Sequence, residues 1–291
     1  MRPIGFALAS LLLLAPPAHA FTVRDMLGRQ VALAAPPSRI VSLVPSVTEI
    51  VFALGGEARL VGVTDFCDFP PAARQKPSVG GMVSPSLEVI ATLKPDLVIA
   101  TNAGNRAETV AQLERLRIPS YLVSVDRLAE LPDVIARLGE LTGRQAAVAE
   151  LTERLVRRIR EVGEAVKPFR RLRVLYVLWP EPLIVPGRAA IVTELIQLAG
   201  GTSITAGNAE AYPRYSLEAA VAGAPEVIIL ATHGSGSSPM SREKWHRLAS
   251  LPAIKAGRIH SVDGNLLHRY GPRIVDGLET LARVIHPEAF R

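Results

Sequence analysis

The chain repeats itself. Ser86-Leu87-Glu88, followed by Pro95-Asp96-Leu97-Val98-Ile99, is matched 130 residues on by Ser216-Leu217-Glu218, followed by Pro225-Glu226-Val227-Ile228-Ile229. Val47-Thr48-Glu49-Ile50 through Gly55-Gly56 is matched by Val192-Thr193-Glu194-Leu195 through Gly200-Gly201, at an offset of 145. Each member of the second pair follows a short apolar run, Arg39–Val44 in one half and Arg173–Leu178 in the other. One short apolar motif can recur by chance, but two pairs in the same order point to a duplicated unit. The repeat predicts two α/β lobes of similar build. The length of 291 residues agrees, since it exceeds what one ordinary core accommodates.

Within the first half, apolar strand-like runs alternate with helical patterns. Arg39–Val44 reads as a buried strand. Ser46 is expected to cap a helix from Val47 to Leu54, with Glu49 completing a capping box and Gly55-Gly56 closing it. Leu60–Val63 reads as the next strand. Ser86-Leu87-Glu88 opens a helix ended by Lys94-Pro95, and Leu97–Ala100 is again strand. Glu108–Leu116 is helix and Ser120–Val123 strand. Strand, helix, strand with short links means a parallel sheet covered on both faces. Residues 21–38 are a lead-in, with Thr22-Val23 and Gln30–Leu33 strand-like around a turn at Leu27–Arg29.

Between the halves runs one long helical pattern. Val148, Leu151, Leu155, Ile159, Val162 and Val166 step by three or four residues and so share one stripe. From Gln145 to Val166 this spans roughly 33 Å at 1.5 Å per residue. Its other face carries Arg154, Arg157, Arg158 and Arg160 among Glu153, Glu161 and Glu164, the pattern of a solvated face with i,i+4 pairs. The expected organisation is a lobe at 21–144, a linking helix at 145–168 and a second lobe at 169–291.

The first twenty residues read as an address. Arg2 precedes the apolar run Ile4–Ala15, too short to span a bilayer; Pro16-Pro17 breaks it, and Ala18-His19-Ala20 is an A-x-A cleavage site. The expectation is a signal peptide cleaved after Ala20, with no cysteine behind it for a lipid anchor, and a soluble product in the periplasm. ATP and NAD are not freely available there, which counts against kinases and dehydrogenases. Cys67 is the single cysteine, so there is no internal disulfide and no Cys-based zinc site. It reads as an inert small hydrophobe. The net charge of +6 is spread along the chain and makes no case for nucleic acid. The histidines form neither H-x-x-x-H nor H-E-x-x-H, so no local metal site is expected, although His233 and His268 fall in loops after predicted strands. Ser235-Gly236-Ser237-Ser238 reads as a mobile loop without the features of a nucleotide site. No G-x-S-x-G elbow is present, which leaves a periplasmic α/β enzyme as a remote alternative.

Several stretches together carry a family resemblance. They are R-I-V-S-L-V-P-S-V-T-E at Arg39–Glu49, D-F-C-D-F-P-P at Asp65–Pro71, V-G-G at Val79–Gly81, P-S-L-E at Pro85–Glu88, K-P-D-L-V-I-A at Lys94–Ala100 and R-Y-G-P-R-I-V-D-G-L-E at Arg269–Glu279. The chain resembles the helical-backbone (class III) periplasmic binding proteins of ABC importers, and within them the cobalamin-binding proteins. The resemblance implies two Rossmann-like lobes bridged by one helix, with the ligand in the cleft between them. It implies cobalamin or a related corrinoid as transported ligand, no resident cofactor or metal, membrane subunits of an ABC importer as partners, and a monomer. A ferric siderophore or haem is the alternative ligand in the same class.

In open α/β sheets, ligands sit beyond the carboxyl ends of the strands. The post-strand segments place Pro45, Ser46, Asp65, Phe66, Asp68, Asn102, Trp179 and Asn265 at such a cleft. Phe66 and Trp179 are expected as aromatic walls for a flat ring. The resemblance adds Gly80 and Gly81, where backbone approaches a ligand closely, and Arg269 at the ligand's edge. Cobalamin-binding relatives often carry Tyr where Phe66 stands, and can carry Asp where Asn265 stands. The repeat sets Glu88 and Glu218 at the same place on each lobe, and the resemblance implies that they dock on arginines of the two membrane subunits.

Overall fold

The computed structural model describes residues 21–232 and 245–291. The proposed signal peptide, His233 and Ser235–Ser238 lie outside the described residues. The chain opens with an antiparallel hairpin, β1 (Phe21–Arg24) and β2 (Gln30–Leu33). Next come β3 (Ile40–Ser42), α1 (Pro45–Ala53), β4 (Leu60–Val63), α2 (Leu87–Thr92), β5 (Leu97–Thr101), α3 (Ala107–Arg115), β6 (Ser120–Val123) and α4 (Leu131–Leu141). The four strands β3 to β6 form one parallel sheet in the order β4-β3-β5-β6. Its strands β3, β5 and β6 are buried along their whole length. That accounts for continuous apolar runs where a sheet with one wet face would alternate.

The helix α5 (Gln145–Val166) follows, 22 residues long. Beyond it lie β7 (Leu172–Val177), the short hairpin β8 (Trp179–Pro180) and β9 (Leu183–Ile184), α6 (Ile191–Leu198), β10 (Gly201–Ser203), α7 (Leu217–Ala222) and β11 (Val227–Thr232). The described chain ends with α8 (Pro252–Lys255), β12 (Ile259–Asp263), α9 (Gly264–His268) and α10 (Ile274–Ile285). The second parallel sheet has the order β10-β7-β11-β12. This is the first sheet again, with β7 standing for β3 and β11 for β5. The architecture is α/β with two parallel sheets.

The repeat is also visible in local chemistry. Ser86 and Ser216 cap α2 and α7, accepting from Val89 N at 3.2 Å and Ala219 N at 3.0 Å. Gly55 (φ +72°) and Gly200 (φ +80°) both take the left-handed conformation that ends α1 and α6. The capping box expected at Ser46 does not form. Helix α1 starts at Pro45, its N-cap is Val44 without a side-chain cap, and Ser46 lies inside the first turn. Glu49 reaches across to the second lobe, where Arg273 Nη2 and Nε donate to it at 2.5 and 3.0 Å. Its counterpart Glu194 does the reverse, accepting from Leu128 N of the first lobe at 3.1 Å. The matched glutamates thus tie each lobe to the other.

Helix α5 packs on α4 and on α6 and α10. Leu151, Leu155, Val162 and Val166 are buried, with Val148 and Ile159 packed partly buried beside them in one core that continues through both sheets. On the outer face, Arg154–Glu150 and Arg157–Glu161 are i,i+4 pairs at 3.5 and 3.7 Å. Arg158 departs from the expected pattern. It leaves the helix and pairs with Asp276 at 2.6 Å and Glu279 at 2.8 Å on α10. Among the described residues, no helix is long and apolar enough to cross a membrane.

Candidate functional site

The carboxyl ends of both sheets face one cavity of about 530 Å³. One wall comes from residues before α5 and the other from residues after it. Val44, Pro45 and Phe66 contribute apolar surface from the first lobe, with Met82 and Val83 beyond them. Leu178, Tyr212, Asn265 and the run His268–Tyr270 face them from the second. Phe66 is 55% exposed, so its ring is open to the cavity it lines.

Of the sequence-predicted residues, Pro45, Ser46, Phe66, Asn265 and Arg269 line this cavity. Asp68 does not line it, but its carboxylate takes both Nη atoms of Arg269 across the gap between lobes. Asp65 points elsewhere. It is exposed, and its carboxylate accepts from the Ser78 hydroxyl. Gly80 accepts from Asp65 N at 3.0 Å and holds φ +89°, so it shapes a turn behind the wall. A Cβ on Gly81 would sit 4.0 Å from the Phe66 ring, which leaves Gly81 beside that ring and off the cavity lining. Asn102 is exposed and also off the lining, while its neighbours Thr101, Ala103 and Gly104 are on it. The amide that matters structurally is Asn105, which donates to Met82 O at 2.7 Å and accepts from Thr101 N at 2.8 Å. Trp179 lies in β8, half exposed, with Nε1 donating to Glu181 O at 3.0 Å, and Leu178 takes the lining position instead.

Sequence reasoning missed the phenols. Tyr176 OH lies 2.8 Å from His268 Nε2, and Tyr212 OH lies 3.4 Å from His268 Nδ1 and 2.8 Å from Tyr270 OH. Burial pushes all three phenols up from their ordinary range, so they stay protonated. Both ring nitrogens of His268 are therefore within hydrogen-bonding range of tyrosine hydroxyls. Among the described residues, no group of three or more His, Cys, Asp or Glu side chains could hold a metal ion.

Cys67 lies beneath this wall, 3% exposed, with Thr48 Oγ1 and Thr64 Oγ1 each 3.2 Å from its sulfur. Burial pushes its thiol up. The native protein should be inert to a thiol-specific chromogenic disulfide at neutral pH and react stoichiometrically once unfolded in guanidinium. Rapid native labelling would show that the wall opens.

The model of the family described as periplasmic binding protein matches residues 40–266. The vitamin B12-binding protein of Vibrio cholerae serotype O1 is 30% identical over 244 residues, covering 84% of this chain and 87% of that one. The crystal structure of the periplasmic vitamin B12 binding protein of Vibrio cholerae matches with a TM-score of 0.76 at 29% identity, over 88% of this chain and 99% of that one. A periplasmic heme binding protein from Pseudomonas aeruginosa matches with a TM-score of 0.78 at 29% identity, over 86% and 93%. An uncharacterised ABC transporter substrate-binding lipoprotein of Bacillus subtilis strain 168 is 27% identical over 277 residues, covering 93% of this chain and 87% of that one.

Proposed function

The chain belongs to the periplasmic binding protein family, and from that premise we propose that it captures a cobalamin-type corrinoid between its lobes and hands it to the membrane subunits of an ABC importer. A member of this family is a solute carrier, not an enzyme, and its ligand is cargo, not a resident cofactor. Export to the periplasm, with cleavage after Ala20, belongs to the same proposal.

The observation that carries the ligand assignment is the state of the polar groups in the cleft. Haem with an open axial position calls for Tyr, His, Cys or Met. Here the reachable phenols and imidazole hydrogen-bond to one another, burial keeps the phenols neutral, and among the described residues the thioether of Met82 is the one remaining side chain of that kind on the lining. A corrinoid brings its cobalt already enclosed by ring and axial groups. It asks for apolar faces, which Phe66, Met82 and Val83 supply, and for neutral hydrogen-bonding groups at an amide rim. Asn265 and Ser46 are of that kind. The relatives named for vitamin B12 support the same reading.

Calorimetry with cyanocobalamin tests it. Binding at about 1 µM or tighter, with a shift in the visible spectrum, is expected. Absence of both heat and shift would overturn the corrinoid assignment, and a Soret band on the exported protein would replace it with haem.

A further inference from the structure

Arg269 brings a positive charge to the cleft wall, yet that charge is already engaged. Its side chain is 13% exposed, and its two Nη atoms donate to the two carboxylate oxygens of Asp68, the second at 3.2 Å. Glu49 Oε1 lies 3.9 Å from the same guanidinium. The next arginine, Arg273, is held by Glu49. Two arginines and two carboxylates therefore close on themselves across the gap between the lobes, and their formal charges cancel. Arg74 approaches Asp68 only at 3.9 Å, from an exposed position where solvent screens it.

We propose that Asp68 sets the charge preference of the cleft. By masking Arg269 it disfavours ligands rimmed with free carboxylates or phenolates and favours those rimmed with neutral amides. An anionic group approaching Arg269 must displace a bidentate partner and meets the fields of Asp68 and Glu49. A neutral carbonyl needs only a remaining N–H. Guanidinium carries five such donors, and Asp68 engages both Nη atoms without exhausting them. The inference rests on the cleft being the solute site proposed above, and it deepens that proposal by naming what the site selects against.

The test uses the full mature chain with two probes, haemin as a dicarboxylate ring and cyanocobalamin as an amide-rimmed one. Asp68→Asn removes the mask with little change of shape. It should tighten haemin by roughly ten- to hundredfold, the worth of one charge-assisted hydrogen bond, and change cyanocobalamin by less than about threefold. Adding Arg269→Gln to the same chain should cancel the gain. An unchanged haemin affinity in Asp68→Asn, or a gain that survives in the double variant, overturns the proposal. So does equal loss of both probes with melting intact, because Asp68 would then merely position Arg269. Should Asp68→Asn fold poorly, the wild type still decides the matter. A masked cleft predicts haemin affinity nearly flat in salt, and a steep salt dependence refutes it. Failure of cyanocobalamin to bind the wild type would sink the corrinoid assignment alone, since the haemin ratio between variant and wild type reads Asp68 independently.

Discussion

Replacing Arg273 with Ala will destabilise the protein by about 3–5 kcal/mol, the cost of leaving a buried charge without its partner. Glu49 is 3% exposed at its side chain, and Arg273 supplies both of its short contacts. The remaining cation, Arg269, is 3.9 Å away and engaged by Asp68. Arg273 also lies 4.1 Å over the Phe69 ring, which Ala would abandon. At this size the loss corresponds to a fall in melting temperature of roughly 6–20 °C. The contact joins α1 of one lobe to the start of α10 in the other, so its removal should also broaden the transition as the lobes melt less together.

Replacing both partners with apolar residues, Glu49→Leu with Arg273→Met, will recover most of the loss. Burial is the largest influence on Glu49 and pushes its carboxyl up, with Arg273 and Arg269 only partly opposing it. On Glu49 desolvation therefore outweighs attraction, while on Arg273 burial is outweighed by the bond to Glu49 and the nearby carboxylates, which hold the guanidinium charged; the apolar exchange relieves the carboxylate's share of the burial cost. The sign with pH follows. The folded state holds the Glu49 proton more tightly than the unfolded chain does, so this group's contribution falls as pH rises from the unfolded value through the folded one. Asp68 behaves oppositely. The Arg269 hydrogen bond lowers its carboxyl, so its contribution is present above the unfolded value and is lost as acid passes the lowered folded one. Glu49→Gln should remove the first slope and leave the second. Denaturant melts across the acid to neutral range read both, and a double apolar variant no more stable than Arg273→Ala would refute the account.

The same pair explains where sequence reading stops. The strands were legible because a parallel strand buried on both faces is a continuous apolar run, and the halves were legible because they repeat. Ser86 is legible as a helix opening, and the repeat carries the same cap to Ser216, since a cap is satisfied within three residues. Ser46 and Glu49 have the same local spacing, yet Glu49 is taken by a partner 224 positions along the chain. No local rule sees that distance, and Pro at the first helical position lets α1 begin without a cap. Arg158 left its expected helical pairs for α10 by the same long-range competition. At the cleft, post-strand position found Ser46, Phe66 and Asn265 because carboxyl ends converge. It could not say which side of a loop faces in, so Asn102 and Trp179 were placed on a wall that Thr101 and Leu178 form. Tyr212 lies between β10 and α7 in a stretch without periodicity. The only available signal was scarcity, in a chain where aromatics are 5% of residues.

The double variant Glu88→Ala with Glu218→Ala should abolish uptake while leaving ligand affinity unchanged. Both residues are exposed, at the second position of α2 and of α7. Each helix precedes a central strand of its sheet, β5 in one lobe and β11 in the other. A helix leading by a short link into a parallel strand runs against it, so its N-terminus lies at the strands' carboxyl end. Both glutamates are thereby carried to the cleft end of their lobes, one on each side of the cavity. Neither lines the cavity, so their loss should not reach the ligand. As first-turn acids each stabilises its helix by only about 0.3–1 kcal/mol. Paired with arginines of a membrane partner, each could contribute about 1.5–7 kcal/mol of coupling. The two roles therefore differ by enough to separate them. Uptake in cells lacking the wild-type gene, measured beside calorimetry on the purified variant, distinguishes them. Transport lost by a hundredfold or more with affinity and melting intact is the expected result, from two couplings of at least about 1.5 kcal/mol each. Charge reversal to Lys at either position should be worse than Ala, because it adds repulsion to the loss of the pair. Normal uptake by the double Ala variant would reduce both residues to helix caps' neighbours and remove the docking role.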